Sequence, residues 1–273
     1  MYCSFYGLKE RPFNVTSDPA FFFSSRKHQE ALSHLFYGAT QRKGIIVITG
    51  EIGTGKTTLC RFFLEQISAN TKTALILNPF LSEIQLLEAI IKDFGLSVHD
   101  KNRLSYTLEF NKFLLKEARE GNNVVLIIDE AQNLKSRQLE QIRLLSNLET
   151  QKDKLMQIVL VGQPELNHKL NLYELRQIRQ RVMVRYHIMP LDKDEVNHYI
   201  NHRLTIAGSR GRIKFSDEAI KTVCESSSGI PRLINIICDR ALLAGFVNET
   251  YAIDIDIIKR SVEELGSFAL EAR

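Results

Sequence analysis

The sequence has few cysteines, and their spacing argues against two kinds of small scaffold. Its 273 residues contain four of them, at Cys3, Cys60, Cys224 and Cys238. No two form a CxxC pair, and no histidine lies at a zinc-finger spacing from them. We therefore expect neither a zinc site nor a disulfide framework, but reduced and partly buried thiols in a cytosolic protein.

Long apolar runs are also lacking. The purely apolar stretches are short, such as Ile45–Ile48 and Val124–Ile128, whereas a helix needs about 20 apolar residues to cross a bilayer. The first residues have neither the basic start nor the long apolar stretch of a signal peptide. We therefore expect no membrane span in this chain and a cytoplasmic location, peripheral at the inner membrane only where a partner protein holds it there.

The chain has no strong excess of either charge. Lysine and arginine number 36 against 32 aspartates and glutamates, a net charge of +4. Dedicated nucleic-acid binders usually carry a denser basic cluster, so this balance neither requires nor excludes nucleic acid. Apolar residues make up 44% and charged residues 25%, which is typical of a soluble globular protein. The length is sufficient for one large domain and a smaller second one.

Short apolar segments alternate with helical patterns over residues 26–190. The predicted strands are 44–49, 73–77, 124–128, 157–161 and 183–188. Because continuous apolar strands separated by helices are typical of a parallel sheet covered on both faces, we predict a five-stranded α/β core. After Pro190 the sequence predicts helices only, at about 192–206, 216–226, 231–247 and 254–265. These would form a smaller, all-helical lid domain over residues 191–273.

Residues 1–25 are rich in aromatic side chains and turn residues. Pro12 and Pro19 argue against a continuous helix, and so many aromatic rings argue against disorder. We predict an extended N-terminal arm that packs on the α/β core.

The sequence GEIGTGKT at Gly50–Thr57 fits the phosphate-loop pattern GxxxxGK[ST], with an apolar strand before it and a helix after it. Its glycines let backbone N–H groups surround phosphate oxygens, and the helix directs its positive end at the same anion. Lys56 would reach the β- and γ-phosphates, and the Thr57 hydroxyl would ligate Mg²⁺. The motif predicts ATP and Mg²⁺ binding through Gly50, Glu51, Ile52, Gly53, Thr54, Gly55, Lys56, Thr57 and Thr58.

A second acidic motif follows the apolar run Val124–Ile128. Asp129 would support Mg²⁺, directly or through water. Glu130 would polarise the attacking water as a general base. Because a glutamate here favours water as the nucleophile, we predict an ATPase that produces ADP and phosphate rather than a kinase for a metabolite.

These two motifs belong to a longer set of recognisable segments. Others are FYGLKERPFNVTSDPAFFF, HQEALSHLFYG, ALILNP, LIIDEAQNL, VLVGQPEL, LRQIRQRVMVRYHI and GIPRLINIICDRAL. Together they resemble an AAA+ ATPase, specifically the ExeA/GspA-like family of bacterial general (type II) secretion, over nearly the whole chain. Longer members of that family continue into a transmembrane helix and a periplasmic peptidoglycan-binding domain. The resemblance therefore implies a short member or part of a longer one, without a cell-wall role for these 273 residues.

The resemblance implies roles for further residues. Gln163 would be the polar sensor of the γ-phosphate or the attacking water, and Arg232, after Pro231, would be a second sensor on the lid. One arginine would reach the ATP of a neighbouring subunit, with Arg181 as first choice and Arg179 as second. The candidates for this finger are Arg176, Arg179, Arg181 and Arg185. A finger acting between subunits implies a homo-oligomer, as a ring or arc, with a hexamer favoured.

The resemblance also implies that the aromatic arm lies near the adenine. Pro12 and Phe13 could offer the base an apolar surface, although core packing is the expected use of most of the rings.

Three functions remain open from the sequence. The first is an ATPase that drives assembly or remodelling of an envelope secretion or export system through an unidentified partner. The alternative is a DNA-associated AAA+ ATPase similar to transposition regulators or loader ATPases, with Arg176–Arg185 and Arg203–Lys214 along a phosphate backbone. It is less favoured because no helix-turn-helix segment follows the lid. The third, a non-hydrolysing switch, is disfavoured by the intact Lys56, Asp129 and Glu130.

Overall fold

A computed structural model describes residues 1–149 and 154–271, with side chains described up to residue 265. The last two residues of the predicted lid range, 272 and 273, lie outside the described residues. The chain divides into two compact units. We call Lys27–Gly50 with Leu59–Ile188 the α/β unit. We call Met1–Arg26, Glu51–Thr58 and the residues from Met189 onward the helical unit.

The α/β unit contains one parallel five-stranded sheet, as predicted. Its strands are β1 (Ile45–Gly50), β2 (Thr71–Ile76), β3 (Asn123–Ile128), β4 (Gln157–Gly162) and β5 (Val182–Ile188). They lie in the order β2-β3-β4-β1-β5. The acidic strand β3 is thus separated from the strand that enters the phosphate loop, β1, by β4. All pairings within the sheet are parallel.

Helices flank this sheet and continue into the helical unit. In chain order the helices are α1 (Tyr2–Tyr6), α2 (Arg26–Thr40), α3 (Lys56–Gln66), α4 (Glu83–Asp93), α5 (Arg103–Arg119), α6 (Ser136–Leu145), α7 (Glu165–Leu170), α8 (Arg176–Arg179), α9 (Lys193–Ile206), α10 (Asp217–Ser227), α11 (Pro231–Val247) and α12 (Ile255–Glu271). Helix α9 begins with the predicted capping box, in which Asp192 and Glu195 each accept a hydrogen bond from the other's backbone N–H.

Burial explains why the central strands read as unbroken apolar runs. Every residue of β1 and β4 is buried, and so are five of the six residues of β3. Both faces of these strands are therefore covered, which removes the polar alternation of a half-exposed strand. On the edge strand β2 only Ala74 and Ile76 are buried.

The aromatic side chains of the N-terminal arm pack in the core of the helical unit, whereas we predicted that the arm packs on the α/β core. Tyr2, Tyr6, Phe13 and Phe21 belong to the same apolar core as the residues of α9, α10 and α11. The arm is also not simply extended, because it contains α1 and a 3₁₀ turn at Pro19–Phe21. The aromatic composition indicated burial, but hydrophobic burial is non-directional and did not specify the partner.

The helical unit is not composed of helices alone. A two-residue strand, β6 (Lys214–Phe215), pairs in parallel with β7 (Ala252–Ile253). Strands this short show no hydrophobic periodicity, which is why the sequence predicted helices only.

Arg203 anchors the arm from within the core of the helical unit. It is only 5% exposed, and its guanidinium donates to the carbonyls of Pro12 and Asn14. The same group lies 4.7 Å from the ring centroid of Phe21. Five donors in a rigid plane suit arginine to hold several backbone carbonyls while stacking on an aromatic ring.

No helix among the described residues is both long enough and apolar enough to cross a membrane.

Candidate nucleotide site

The carboxyl ends of β1, β3 and β4 meet at one edge of the α/β sheet because these strands are parallel neighbours. In open parallel sheets this is the edge at which ligands bind. The predicted functional residues follow these ends in the chain. The phosphate loop continues from Gly50, Asp129 follows Ile128, and Gln163 follows Gly162.

The phosphate loop forms a tight turn around one of its own carbonyls. The Glu51 carbonyl accepts hydrogen bonds from the Lys56 ammonium at 2.8 Å and from the Thr54 hydroxyl at 2.9 Å. Gly53 and Gly55 have φ values of +85° and +91°, which side chains with a Cβ adopt only at a cost. Helix α3 begins at Lys56, so its first, positively polarised turn lies directly after the loop.

Arg232 of α11 lies against the phosphate loop within the helical unit. Its backbone N–H donates to the Gly53 carbonyl at 3.2 Å, and Pro231 occupies the first position of α11, where proline is favoured. A Cβ on Gly53 would lie only 2.6 Å from the Arg232 Cβ. The structure therefore brings together two predicted elements, the loop and the second sensor, whose residues are far apart in the chain.

Asp129 and Glu130 differ sharply in their surroundings. Asp129 is 2% exposed, and its Oδ1 accepts a hydrogen bond from the Glu130 backbone N–H at 2.9 Å. Glu130 has a left-handed backbone with φ +52°, an unusual conformation for a residue other than glycine. Such backbone strain of about 1–3 kcal/mol persists where surrounding contacts fix it, and it is often found at functional sites.

Two carboxamides hold the carboxylate of Glu130. Gln132 Nε2 donates to Glu130 Oε2 at 2.6 Å, and Gln163 Nε2 donates to the same oxygen at 3.3 Å. Gln132 Oε1 in turn accepts from the Gln163 backbone N–H at 3.1 Å. The structure thus joins the predicted base to the predicted sensor through Gln132.

The sequence reasoning gave Gln132 no role, although the residue lies inside the segment LIIDEAQNL. Its contact with Gln163 depends on β3 and β4 being neighbours, which the local pattern does not state. Gly162 makes room for it, since a Cβ there would lie 2.8 Å from Gln132 Oε1.

A buried polar network closes the carboxyl end of β1. Thr49 is 1% exposed, and its hydroxyl oxygen accepts from Asn167 Nδ2 at 3.1 Å and hydrogen-bonds His187 Nδ1 at 3.0 Å. None of these residues was singled out from the sequence. Since buried polar groups are costly unless paired, this network fixes the strand end from which the phosphate loop starts.

The four arginines near β5 have different surroundings. Arg176 stacks over the ring of Tyr173 at 4.4 Å, and Arg179 donates to the Asn171 carbonyl at 3.4 Å. Arg181 lies near Glu149: the Lys154 hydrogen bond lowers the pKa of that carboxyl, and Arg181 adds to the effect. Arg176, Arg179 and Arg185 are exposed, whereas Arg181 is half-buried.

Two side chains that we predicted to face a ligand are buried in the structure. Arg203 was expected along a phosphate backbone, but its guanidinium is buried on the carbonyls of the arm. Phe13 was a candidate surface for adenine, but its ring is 1% exposed and packs edge-on to Phe215. Both side chains are used within the core of the helical unit.

The donor set suits Mg²⁺ held partly by phosphate. In the described part of the chain no group of three or more histidines, cysteines or acidic residues is arranged to hold a metal ion. Mg²⁺ at phosphate-transfer sites typically takes one or two protein oxygens and completes its shell with phosphate oxygens and water. The buried carboxylate of Asp129 and the hydroxyl of Thr57 fit that pattern in number and type.

Comparison with known proteins matches this architecture. A family model described as an AAA domain matches residues 39–170. The fold is similar to Cdc6p of Pyrobaculum aerophilum, with a TM-score of 0.69 and 17% identity, over 90% of this chain and 70% of that one. It is also similar to ORC2 of Aeropyrum pernix, solved as ADPNP–ADP complexes, with a TM-score of 0.67 and 15% identity, over 88% and 67% of the two chains. These matches and the sheet confirm the predicted fold class: the chain has the fold of the AAA+ P-loop proteins, which implies nucleotide binding.

Within that class the chain is GspA-like, which confirms the family predicted from its motifs. It is 45% identical over 256 residues to the General secretion pathway protein A of Aeromonas hydrophila. The match covers 93% of this chain and 46% of that protein, so the chain spans less than half of the relative's length.

Proposed function

We propose that this chain binds ATP with Mg²⁺ and hydrolyses it, using water activated by Glu130. The observation that carries the proposal is the Glu130 carboxylate, fixed by Gln132 and Gln163 at the carboxyl edge of the sheet. A carboxylate at this position can accept a proton from water as the water attacks the γ-phosphorus.

Each proposed ligand residue has a specific task. The loop Gly50–Thr57, with Thr58 beside it, binds the phosphates through its backbone N–H groups. Lys56 exchanges its hydrogen bond to the Glu51 carbonyl for the β- and γ-phosphates. Thr57 and Asp129 hold Mg²⁺, which neutralises charge on the phosphate oxygens. Arg232 adds positive charge from α11, next to Gly53.

Gln163 serves as the sensor in this scheme by linking Glu130 to β4. Its carboxamide orients the carboxylate oxygen, and Gln132 fixes the backbone of Gln163. Positioning of a reacting group lowers the barrier without any chemical step by the positioning residue itself.

The substitution Glu130→Gln tests the catalytic role. Loss of a general base reduces turnover about 10²–10⁴-fold, whereas ATP affinity depends on the loop and should be retained. Phosphate release and equilibrium binding of a fluorescent ATP analogue would be measured on the same preparations. Glu109→Gln, at a half-buried position of α5 that pairs with Lys112, is the matched control and should leave both quantities unchanged. If wild-type protein releases no more phosphate than the Lys56→Ala variant, the proposal that this chain hydrolyses ATP is wrong.

We further propose that the active form is a homo-oligomer, a ring or arc with six subunits favoured, in which Arg181 or Arg179 completes a neighbouring site. An arginine supplied between subunits is worth about 10³–10⁵ in rate. Specific activity should therefore rise with protein concentration. Activity that stays constant per molecule over a hundredfold dilution would contradict this assembly.

The GspA-like relationship supports a role in envelope secretion or export. We propose that ATP turnover drives assembly or remodelling of such a system through a protein partner that holds the chain at the inner membrane. Purification of Glu130→Gln with ATP, which should retain the ATP-bound assembly, would identify the partner. Recovery of only DNA-associated proteins would contradict this role.

A further inference from the structure

A cavity of about 370 Å³ lies in the α/β unit between the beginnings of three helices. It is lined by Glu83 and Arg103 at the starts of α4 and α5, by residues of α6 between Ser136 and Leu144, and by Glu174 and Leu175. None of these residues belongs to the nucleotide site described above.

The most informative residue of this cavity is Gln141. It is 4% exposed, yet neither Oε1 nor Nε2 has a hydrogen-bond partner among the described residues. Buried carboxamides in folded proteins are almost always paired, because desolvating both polar atoms without compensation is costly. A donor and an acceptor side by side are the complement of a peptide amide, which offers one of each.

The charges of the cavity define the second part of a ligand. Arg103 and Arg137 form no ion pair with any described residue and are exposed. They lie in the first turns of α5 and α6, where the helix dipole also favours a negative charge. A carboxylate suits this environment, because guanidinium groups bind it with planar, bidentate geometry.

Three carboxylates line the same cavity and limit the ligand's charge. Glu140 is bonded to Arg143 at 2.7 Å, and Glu174 accepts a hydrogen bond from Ser136, whereas Glu83 lies at the start of α4. A phosphate or a nucleic-acid backbone would bring several negative charges towards these groups. A ligand with a single carboxylate avoids most of that repulsion.

Exposed apolar side chains adjoin the lining residues in the chain. Ile84, Leu104 and Tyr173 are 46%, 68% and 79% exposed, and each is next to a lining residue. Leu144 and Leu175 line the cavity itself, so apolar side chains on either side of an acidic residue would find contacts there. The ligand would reach Gln141 from this side, because Gln141 lines the cavity together with Leu144, which is 44% exposed.

We propose that this cavity binds an extended peptide segment of a partner protein, with one acidic side chain between apolar ones. Its main-chain amide would pair with Gln141, and its carboxylate would pair with Arg103 and Arg137. The site is separate from the ATP chemistry, so its test does not depend on hydrolysis.

The probe is acetyl-Leu-Glu-Leu-amide, titrated into ¹⁵N-labelled protein. We expect the side-chain NH₂ resonances of Gln141, assigned by their loss in Gln141→Leu, to shift with saturation. Acetyl-Leu-Gln-Leu-amide is the matched neutral control and should bind at least about tenfold more weakly, since the charged pairing is lost. Inorganic phosphate and a single-stranded oligonucleotide serve as the alternative anions. Stronger binding of either one than of the acidic peptide would overturn the proposal.

Variants separate binding from folding. Arg137→Ala removes an exposed side chain and should weaken the acidic peptide at least about tenfold, whereas Arg119→Ala, at the far end of α5, should not. Gln141→Leu should keep or raise the melting temperature, because it removes two unpaired polar atoms, and should abolish the peptide-induced shifts of neighbouring backbone amides. A marked fall in the Gln141→Leu melting temperature, or unchanged affinity in Arg137→Ala, would refute the assignment.

Discussion

The substitution Gly53→Ala gives the most direct test of how the phosphate loop is held. Gly53 occupies a variable position of the GxxxxGK[ST] pattern, so the motif itself does not require glycine there. The structure requires it twice, because φ is +85° and because a Cβ would lie 2.6 Å from the Arg232 Cβ. The variant therefore strains the loop and pushes it away from the start of α11.

The expected cost follows from these two effects. A left-handed backbone costs a residue with a Cβ about 1–2 kcal/mol. Carbon atoms pack best at about 3.5–4.0 Å, so the contact with Arg232 must open by roughly 1 Å. That shift would break the hydrogen bond from the Arg232 N–H to the Gly53 carbonyl, worth about 0.5–1.5 kcal/mol. Because the displaced loop must return to its original geometry to bind phosphate, a total of about 2–3 kcal/mol would appear as roughly a 30- to 200-fold rise in the Kd for ATP.

Gly44→Ala is the matched control for this experiment. Gly44 has a similar φ of +80°, but a Cβ there would meet no heavy atom within 4 Å. It should lower the melting temperature through backbone strain and leave the Kd unchanged. Titration calorimetry and thermal melts on both variants separate the two effects. If Gly53→Ala binds ATP within about threefold of wild type, the close approach of Arg232 has no part in nucleotide binding.

Three further substitutions test other parts of the molecule. Gly162→Ala keeps an unstrained backbone but displaces Gln132 Oε1, so kcat should fall about tenfold or more while the Kd for ATP stays constant. A fall in kcat accompanied by an equal loss of ATP affinity would contradict a positioning role. Tyr6→Phe removes a hydroxyl that donates to the Leu242 and Thr250 carbonyls and should lower the unfolding free energy by about 1–2 kcal/mol in urea titrations. Burial raises the pKa of Tyr6 to about 12, so the wild-type advantage should be complete below pH 10 and disappear as the pH rises through 12. Burial lowers the pKa of His202, so its effect on the unfolding free energy should be constant above about pH 7 and should reduce that free energy as the pH drops below about 6.5. The unfolding free energy of His202→Asn should fall less steeply with decreasing pH. Parallel curves of unfolding free energy against pH for the two proteins would show that His202 does not contribute.

The sequence predicted those features that depend on local patterns. Five apolar runs separated by helices predicted the parallel sheet, and the capping residues Asp192 and Glu195 predicted the start of α9. The phosphate-loop motif after β1 and the acidic pair after β3 were also identified from local sequence, and Gln163 after β4 was identified through the family resemblance.

Features created by tertiary contact were missed. Gln132 contacts Gln163 only because β3 pairs with β4, and the requirement for glycine at position 53 arises from Arg232 in a distant helix. From the sequence, Arg203 was interpreted as a surface charge. The neighbouring residues do not indicate that its guanidinium binds the carbonyls of Pro12 and Asn14, which are about 190 residues away. A periodic pattern in the sequence indicates which face of a helix or strand is buried, but it does not indicate which other element covers that face.

The anchoring of the N-terminal arm has a consequence for synthesis on the ribosome. The Tyr6 hydroxyl contacts the Leu242 carbonyl across 236 residues of sequence, and long-range contacts of this kind form slowly. The arm must therefore wait until Leu242 has been synthesised before it is covered. During that interval Tyr2, Phe13 and Phe21 are exposed apolar groups on a nascent chain, which is the condition that favours aggregation or chaperone binding. Deletion of the arm is then expected to impair folding of α9, α10 and α11, although these helices are distant from it in sequence.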